Sequence, residues 1–283
     1  MATATPIEPE RVKTVIDHTS RIQPLVCASK RGEENDELNS PLFVTVENMT
    51  GNIYIADCLN HCVKVFDSTA KYIFKFGDSR GEGKMSYPIS LFICMSRILI
   101  SHNHGILNYN LDGEFISRIG KPGKGEFEFY NPCVMVMNES NDDIYICDYS
   151  NNRVQILSKD FIFKSLFGSF THPLDVKLSK EYIYVLDESN PCIHLFNHNH
   201  ILQKSVISLG PGNQVLNPYS FSIDNSNNIL IADYASNSIS IFNPEFQSIH
   251  NIPVSEHPTS VTVDYHDRVI VVCEHTVNCL QLF

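Results

Sequence analysis

Apolar and polar positions alternate along the chain in short runs, and one combination of runs keeps returning. The stretch IYICDYSNNRVQIL (residues 144–157) joins two alternating runs through an Asp and a short polar segment. Close copies are IYIADCLNHCVKVF from residue 53, IYVLDESNPCIHLF from residue 183 and ILIADYASNSISIF from residue 229. IVVCEHTVNCLQLF from residue 270 is a weaker copy, and ILISHNHGILNY from residue 98 is a shortened one. A period of two between polar turn residues predicts β-strands.

Prolines divide the chain into six units. One Pro lies 10 to 12 residues before each copy and opens a further apolar run, as in PLFVTVEN. The six are Pro41, Pro88, Pro132, Pro173, Pro218 and Pro258. Pro is tolerated at the first residue of a strand, and a fourth apolar run such as KYIFKFG follows the later copies. Units of four strands repeating every 40–50 residues predict an all-β, six-bladed β-propeller of four-stranded antiparallel blades.

The two ends of the chain predict how the ring closes. The sixth unit stops at Phe283 after three strands, while SRIQPLVCAS (residues 20–29) has strand character directly before the first unit. We therefore expect the N-terminal strand to complete the last blade, which leaves no open sheet edge between the first and last blades. The predicted organisation is a tail over residues 1–19 and a single propeller over residues 20–283.

The Asp in each copy is predicted to be a structural turn residue. Asx side chains accept hydrogen bonds from backbone N–H groups two residues on, so Asp148 is expected to fix its own turn. Asn151 tolerates left-handed geometry there, and Arg153 is placed either to return to the carboxylate or to reach a neighbouring blade. A catalytic Asp–Arg turn is the alternative, but repetition in several blades favours the structural role. The predicted set is Asp57, Asp148, Asn151, Arg153, Asp187, Asp233 and Glu274.

These residues resemble the NHL repeat, in which a strand like IYIAD or IYICD is followed by N-x-R and then V-x-V-F. The Gly-rich stretches GDSRGEGKMSYP and GKPGKGEFEFYNP also match, and the resemblance covers roughly residues 20–283. Only Arg153 keeps the family Arg, since Cys62, Cys192, Ser238 and Cys279 replace it elsewhere. The resemblance implies the recognition domain of tripartite-motif ubiquitin ligases, which binds proteins or RNA stem-loops. The RING and B-box zinc domains of such ligases need dense Cys/His pairs that this sequence lacks.

Composition and charge narrow the choice of partner. The net charge is −11, which opposes nucleic-acid binding, and residues 181–283 hold 2 basic and 10 acidic side chains. That acidic third is either a solvated surface or a docking face for a basic partner. Nine Cys without regular spacing indicate reduced thiols, and we expect a cytoplasmic location without membrane contact. A protein partner is favoured, and RNA remains the alternative.

The candidate binding face consists of loops that join one blade to the next, because loops on a rigid scaffold commonly carry recognition. These loops span residues 29–40, 77–87, 120–131 and 210–217. Basic residues in them are balanced by acids, which weakens the RNA alternative. The candidate residues are Lys30, Arg31, Arg80, Lys84, Tyr87, Lys121, Lys124, Tyr130, Tyr149, Tyr219 and Tyr234. The alternative for the tyrosines is packing beneath neighbouring blades.

Metal and catalytic sites are weakly indicated. Cys58, His61 and Cys62 lie close together, but a structural zinc site usually takes four ligands at better-defined spacing. Propeller lactonases and lyases use acid, Asn or His ligands that converge on the central channel around a metal, but two residues after each Pro this sequence has only one acid, Asp175. The sequence contains no nucleophile elbow or phosphate loop. We therefore expect no metal, no cofactor and no enzyme, and keep a propeller hydrolase or lyase as the least favoured alternative.

Overall fold

A computed structural model describes residues 25–28, 30–77, 81–103, 105–188, 192–207, 215–264, 266 and 268–281. Within these ranges the chain forms six four-stranded antiparallel sheets, and the predicted all-β six-bladed propeller is confirmed. The predicted tail over residues 1–19 lies outside the described residues, so the domain boundary stays a prediction. In the described part of the chain, no helix is long and apolar enough to cross a membrane.

The four strands of each blade lie side by side from the innermost strand to the outermost. Blades 1 to 3 are Pro41–Val46, Ile53–Asp57, Cys62–Phe66 and Tyr72–Phe76; then Ser90–Cys94, Arg97–His102, Gly105–Asn110 and Phe115–Ile119; then Pro132–Asn138, Asp143–Asp148, Arg153–Leu157 and Phe163–Phe167. Blades 4 to 6 are Pro173–Leu178, Ile183–Asp187, Cys192–Phe196 and Leu202–Ile207; then Pro218–Ile223, Ile229–Asp233, Ser238–Phe242 and Ser248–Pro253; then Pro258–Val263, Arg268–Cys273, Val277–Gln281 and Leu25–Ala28.

The N-terminal strand closes the ring as the sequence predicted. Leu25–Ala28 pairs antiparallel with Val277–Gln281 as the outermost strand of blade 6. Its register places Leu25 opposite Cys279 and Val26 opposite Asn278. Residues 20–24 and 29 of the predicted strand lie outside the described residues. Two distant parts of the chain thus share one sheet, which leaves no unpaired edge at that seam.

The hydrophobic core is formed at the interfaces between neighbouring blades. Six apolar clusters each join two neighbouring blades, and one of them packs Ile55 of blade 1 against Ile270 and Val272 of blade 6. A middle strand of a blade therefore buries both of its faces. This explains why Ile53–Asp57 and Ile229–Asp233 are buried at every position.

Blade 2 departs from the pattern of the other five. Their innermost strands begin at the repeated Pro, whereas the innermost strand of blade 2 begins at Ser90, two residues after Pro88. Ile89 N–H donates instead to Ser101 O, and Ser90 N–H donates to Ser101 Oγ. Although this repeat is shorter, hydrogen bonds to Ser101 hold the start of its first strand against its second strand.

Strand order defines two faces of the ring. The loop face carries the inter-blade loops, including residues 30–40 and 120–131, and the turns between second and third strands, such as Cys58–Asn60 and Tyr149–Asn151. The opposite face carries the first-to-second and third-to-fourth turns. Residues 30–38 and 121–129 each fold back on themselves through a two-residue parallel bridge, Lys30–Arg31 with Glu37–Leu38 and Lys121–Pro122 with Glu128–Phe129.

Candidate binding site

The repeated Asp side chains hold the loops that lead into their own blades. Each accepts backbone N–H groups just before the repeated Pro, 15 to 18 residues earlier in the chain. The donors are Asn39 to Asp57 at 2.8 Å, Tyr130 to Asp148 at 2.8 Å, Thr171 and His172 to Asp187 at 2.7 and 3.0 Å, and Leu216 and Asn217 to Asp233 at 3.1 and 2.9 Å. The expected Asx turn is therefore wrong, because the backbone N–H donors described lie in the preceding loop, while the turn itself contributes only side-chain donors such as Asn60 and Asn151.

Blade 3 has the fullest version of this anchor. Asp148 Oδ2 accepts hydrogen bonds from Asn151 Nδ2 at 2.9 Å, Arg153 Nε at 2.9 Å and Gln155 Nε2 at 3.0 Å. Arg153 also donates to the carbonyls of Gly125 and Glu128, so the loop at 121–129 is fixed from below. The left-handed residue of the turn is Asn152, with φ of 59°, and not Asn151 as predicted.

In blade 1 a fully buried lysine takes over from the missing Arg. Lys64 Nζ lies 3.3 Å from Asp57 Oδ2, and both side chains are 0% exposed. The same ammonium donates to the carbonyls of Glu34 and Glu37, which holds the loop at 30–38. Burial raises the pKa of Asp57, and hydrogen bonds from Asn39 and Asn60 together with the Lys64 charge oppose that rise.

The last blade reverses the anchor. Cys273, and not Glu274, pairs with the repeated Pro of this blade as the Asp residues do in theirs, and Glu256, two residues before Pro258, is the carboxylate that makes the contact. Its Oε2 accepts hydrogen bonds from His275 N–H at 3.0 Å and from Thr276 Oγ1 at 3.3 Å. The loop thus supplies the acid and the turn supplies the donors. The assignment of Glu274 as the anchoring acid is therefore wrong.

The cysteines near these turns are protonated core side chains. Burial raises the pKa of the Cys58 and Cys62 thiols to about 11, and the nearby Asp57 charge adds to the rise. A ring nitrogen of His61, which completes the group, accepts a hydrogen bond from Tyr87 N–H at 3.1 Å. Among the described residues no group of three or more His, Cys, Asp or Glu side chains suits a metal ion.

The predicted basic residues lie on the loop face and are exposed, but they do not form one cationic patch. Lys121 Nζ lies 3.2 Å from Glu128 Oε1, and Arg31 Nε donates to Asn39 Oδ1 at 3.2 Å. Lys30, Lys84 and Lys124 are exposed in three separate loops, and Arg80 lies outside the described residues. The face therefore presents isolated cations beside acids.

The five candidate tyrosines divide into two groups. Tyr87 and Tyr130 are 44% and 54% exposed on the loop face. Tyr149 stacks on His172 of the next blade at 4.7 Å between ring centroids. Tyr234 stacks on both Tyr219 and His257, at 4.9 and 4.4 Å. Tyr149 and Tyr234 therefore help to join neighbouring blades, and Tyr219 packs on Tyr234 within blade 5. Tyr130 and Tyr87 keep exposed surface for contact, although the Tyr87 ring also meets the edge of His61.

A pocket of about 470 Å³ opens on the loop face at the mouth of the central channel. Blades 2, 3 and 4 contribute to its walls, which are lined by Asn103, Tyr130, Asn131, Tyr149 and Glu188. Ile89, Cys133 and Leu174, each next to or within the start of an innermost strand, form its apolar part. A volume in this range is ordinary for a ligand pocket of mixed apolar and polar lining.

The half-buried Glu188 sets the electrostatics of the pocket. Its carboxylate accepts a hydrogen bond from Tyr149 Oη. Burial raises the pKa of Tyr149, and this hydrogen bond and the negative charge of Glu188 raise it further. Burial likewise raises the pKa of Cys133, with added effects from the charges of Glu188 and Asp175. The Tyr149 hydroxyl and the Cys133 thiol therefore keep their protons at neutral pH.

Beneath the pocket, side chains from opposite blades meet across the channel. Lys177 Nζ lies 2.8 Å from Asp175 Oδ1 and 5.6 Å from the ring centroids of both Phe43 and Phe221. Asp175 Oδ2 accepts a hydrogen bond from Phe221 N–H at 3.0 Å. The carboxylate that would serve a channel metal is thus already bound to an ammonium group. These residues do not fit a divalent cation.

Sequence reasoning missed Glu188, Asn103, Asn131 and His172. A signal was present, because Tyr149 and Glu188 directly follow the repeated Asp of their blades, while Asn131 and His172 directly precede the repeated Pro. Those two repeat positions face each other across neighbouring blades at the channel mouth. Their side-chain types vary from blade to blade, so a search for repeated residues passes over them.

The fold and these turns define a six-bladed β-propeller that contains NHL repeats. The model of the NHL repeat matches residues 38–66 and 129–157, which cover the loop ends and first three strands of blades 1 and 3. No curated protein matches the sequence. The link to tripartite-motif ligases is not supported by these comparisons.

Solved structures similar to this chain include three enzymes. A gluconolactonase from Xanthomonas campestris aligns over 87% of each chain with 13% identity and a TM-score of 0.72. A streptogramin B lyase covers 93% of this chain and 98% of its own, with 11% identity and a TM-score of 0.64. A luciferin-regenerating enzyme covers 92% and 96%, with 12% identity and a TM-score of 0.65.

These matches correct one expectation from the sequence. We expected that the chain is not an enzyme because it lacks familiar catalytic motifs, and that exclusion is wrong. Three enzymes share this fold over most of its length. At this level of identity the likeness shows the fold alone.

Proposed function

We propose that this chain is a recognition propeller that binds a partner protein on its loop face. The observation that carries the proposal is the pre-organised loop pair at 30–38 and 121–129, which buried side chains hold from below. Lys64 fixes the first loop through the carbonyls of Glu34 and Glu37, and Arg153 fixes the second through those of Gly125 and Glu128. Loops ordered before binding lose less conformational entropy when a partner arrives.

The exposed Tyr87 and Tyr130 are the proposed anchors on this face. Aromatic side chains are enriched among residues that dominate binding energy, because they bury a large area with few rotatable bonds. Tyr130 also borders the channel-mouth pocket, so one partner segment can contact both. The finer proposal, substrate recognition within a cytoplasmic ubiquitin ligase, rests on the resemblance of the repeats alone.

The test is affinity capture with matched variants. The loop-face variant is Tyr87→Ala with Tyr130→Ala, and the control is Ile162→Ala with Ile201→Ala, which are 65% and 59% exposed in third-to-fourth turns of the opposite face. We expect a set of proteins whose recovery falls about tenfold with the loop-face variant only, as the loss of about 1.4 kcal/mol would give. Equal recovery with both variants would contradict the proposal. Loss of recovery after RNase treatment would instead favour RNA.

A lyase or hydrolase with a small organic substrate is the second candidate. It is supported by the enzymes that share the fold and by the Tyr149–Glu188 pair, which places a proton donor beside a carboxylate in the pocket. Chemistry of this kind would use Glu188 and Tyr149 in general acid–base roles, since Asp175 is occupied by Lys177. The test is turnover of a lactone panel, including gluconolactone. Hydrolysis that falls about 100-fold in Glu188→Gln would favour this candidate over protein recognition.

A further inference from the structure

Among the described residues, the channel-mouth pocket carries a negative charge that no lysine or arginine pairs. Asp148 and Asp175, whose charges also act on Cys133, are paired with Arg153 and Lys177. Glu188 accepts the Tyr149 hydroxyl, and in the described part of the chain no Lys or Arg side chain forms an ion pair with it. A half-buried carboxylate without such a counter-ion favours binding of a positive group.

The remaining pocket walls suit a flat cation with a long apolar stem. Tyr130 and Tyr149 line the pocket, and a guanidinium group packs well against aromatic rings. Ile89 and Leu174 offer apolar surface to a methylene chain. A carboxylate accepts several hydrogen bonds, so Glu188 keeps acceptor capacity after binding the Tyr149 hydroxyl. The amides of Asn103 and Asn131 add polar groups at the same opening.

We propose that this pocket binds the guanidinium group of an arginine side chain presented by the partner protein. The inference rests on the proposed function and specifies the chemistry of the partner at that site. Arginine is favoured over lysine because its planar fork can bond Glu188 while its face packs on a tyrosine ring. The overall charge of −11 also favours association with a basic partner segment.

Calorimetric titration of the full chain with small probes tests this chemistry directly. The probes are acetyl-Gly-Arg-Gly-amide, its citrulline counterpart, which keeps the shape without the charge, its lysine counterpart, and methylguanidine. We expect saturable binding of the arginine peptide, at least about tenfold weaker binding of the citrulline peptide, and intermediate binding of the lysine peptide. Equal affinity for the arginine and citrulline peptides, or no binding of either up to about 10 mM, would overturn the proposal.

Two glutamate variants on blade 4 locate the site. Glu188→Gln removes the charge in the pocket. Glu181→Gln removes an equal charge from an exposed position near the opposite end of the same strand, Ile183–Asp187. We expect about a tenfold loss of arginine-peptide affinity in the first and less than about a twofold change in the second. Similar effects of the two would overturn the assignment. If Glu188→Gln unfolds, the comparison of arginine and citrulline peptides on the unaltered chain still decides.

The source of the guanidinium group is read from the same titrations. Weaker binding of methylguanidine than of the peptide supports a side chain as the ligand, whereas equal affinity would overturn the partner-protein source and favour a free guanidine. Failure of all probes combined with successful loop-face capture would overturn only the pocket chemistry. Probe binding without loop-face capture would overturn protein recognition as the function.

Discussion

The buried pair of Asp57 and Lys64 gives the sharpest test of the loop anchor. In Asp57→Asn the ammonium of Lys64 keeps the carbonyls of Glu34 and Glu37 but loses its carboxylate partner, 3.3 Å away. Breaking a buried ion pair from one side typically costs about 3–5 kcal/mol, because the remaining charge stays buried. With both side chains 0% exposed, we expect a loss in this range. The double variant with Lys64→Met should lose less than the sum of the single changes by about 1–3 kcal/mol.

Urea denaturation followed by far-UV circular dichroism measures these free energies of unfolding. Asp160→Asn is the matched control, because Asp160 is exposed in a third-to-fourth turn of blade 3. We expect the control to stay within about 0.5 kcal/mol of the unaltered chain. Hydrogen exchange should also rise in residues 30–38 of Asp57→Asn. The reasoning is refuted if Asp57→Asn matches the control, or if the losses of the two single variants simply add.

Three further changes probe the anchor, the channel and the pH response. Arg153→Met should lower the free energy of unfolding by about 2–4 kcal/mol and raise hydrogen exchange in residues 121–130, since Arg153 donates to Asp148 and to two loop carbonyls. Unchanged exchange would contradict the anchor. Lys177→Met should cost about 3 kcal/mol in urea denaturation by leaving Asp175 unpaired, and a neutral result would contradict the channel pair. Burial lowers the pKa of His200 below its ordinary value of 6.5, so the unfolded chain takes up the proton first. The contribution of His200 to stability should therefore be full above pH 6.5 and fall as the pH drops below it. His200→Asn, in which Asn suits the local φ of 61°, should flatten that fall in melting experiments. An equally steep fall in the variant would contradict this role of His200.

The architecture could be predicted from the sequence because the same packing recurs between successive blades. A middle strand lies between two neighbouring blades, so apolar residues recur in every copy and the period of about 40–50 residues is readable. The last repeat has only three strands, and this likewise predicted that a strand near Leu25 would complete the blade and close the ring. These features depend on local alternation and on chain order.

The contacts of the site were not readable for the opposite reason. Asp148 accepts a hydrogen bond from Tyr130, which lies 18 residues earlier in the chain. The residues next to Asp148 carry no sign of this distant contact, so they suggested a local turn instead. The pocket joins a few residues from each of blades 2, 3 and 4, and at the repeat position of Glu188 the other blades carry different side chains except for Glu274 in blade 6. Blade 6 shows the same limit, since Cys273 stands at the Asp position while the carboxylate of Glu256 in the facing loop keeps the contact. Side chains that differ between blades carry the specific chemistry, and a repeat search averages them away.

Methyl-resolved NMR of the isoleucine side chains tests the central claim that the loop-face pocket is the binding site. Ile89 lines the pocket, whereas Ile162 and Ile201 are exposed on the opposite face. On titration with acetyl-Gly-Arg-Gly-amide, we expect the Ile89 δ1-methyl signal to move saturably while those of Ile162 and Ile201 stay in place. Shifts confined to Ile162 or Ile201, or a stationary Ile89 signal at saturating peptide, would contradict the account.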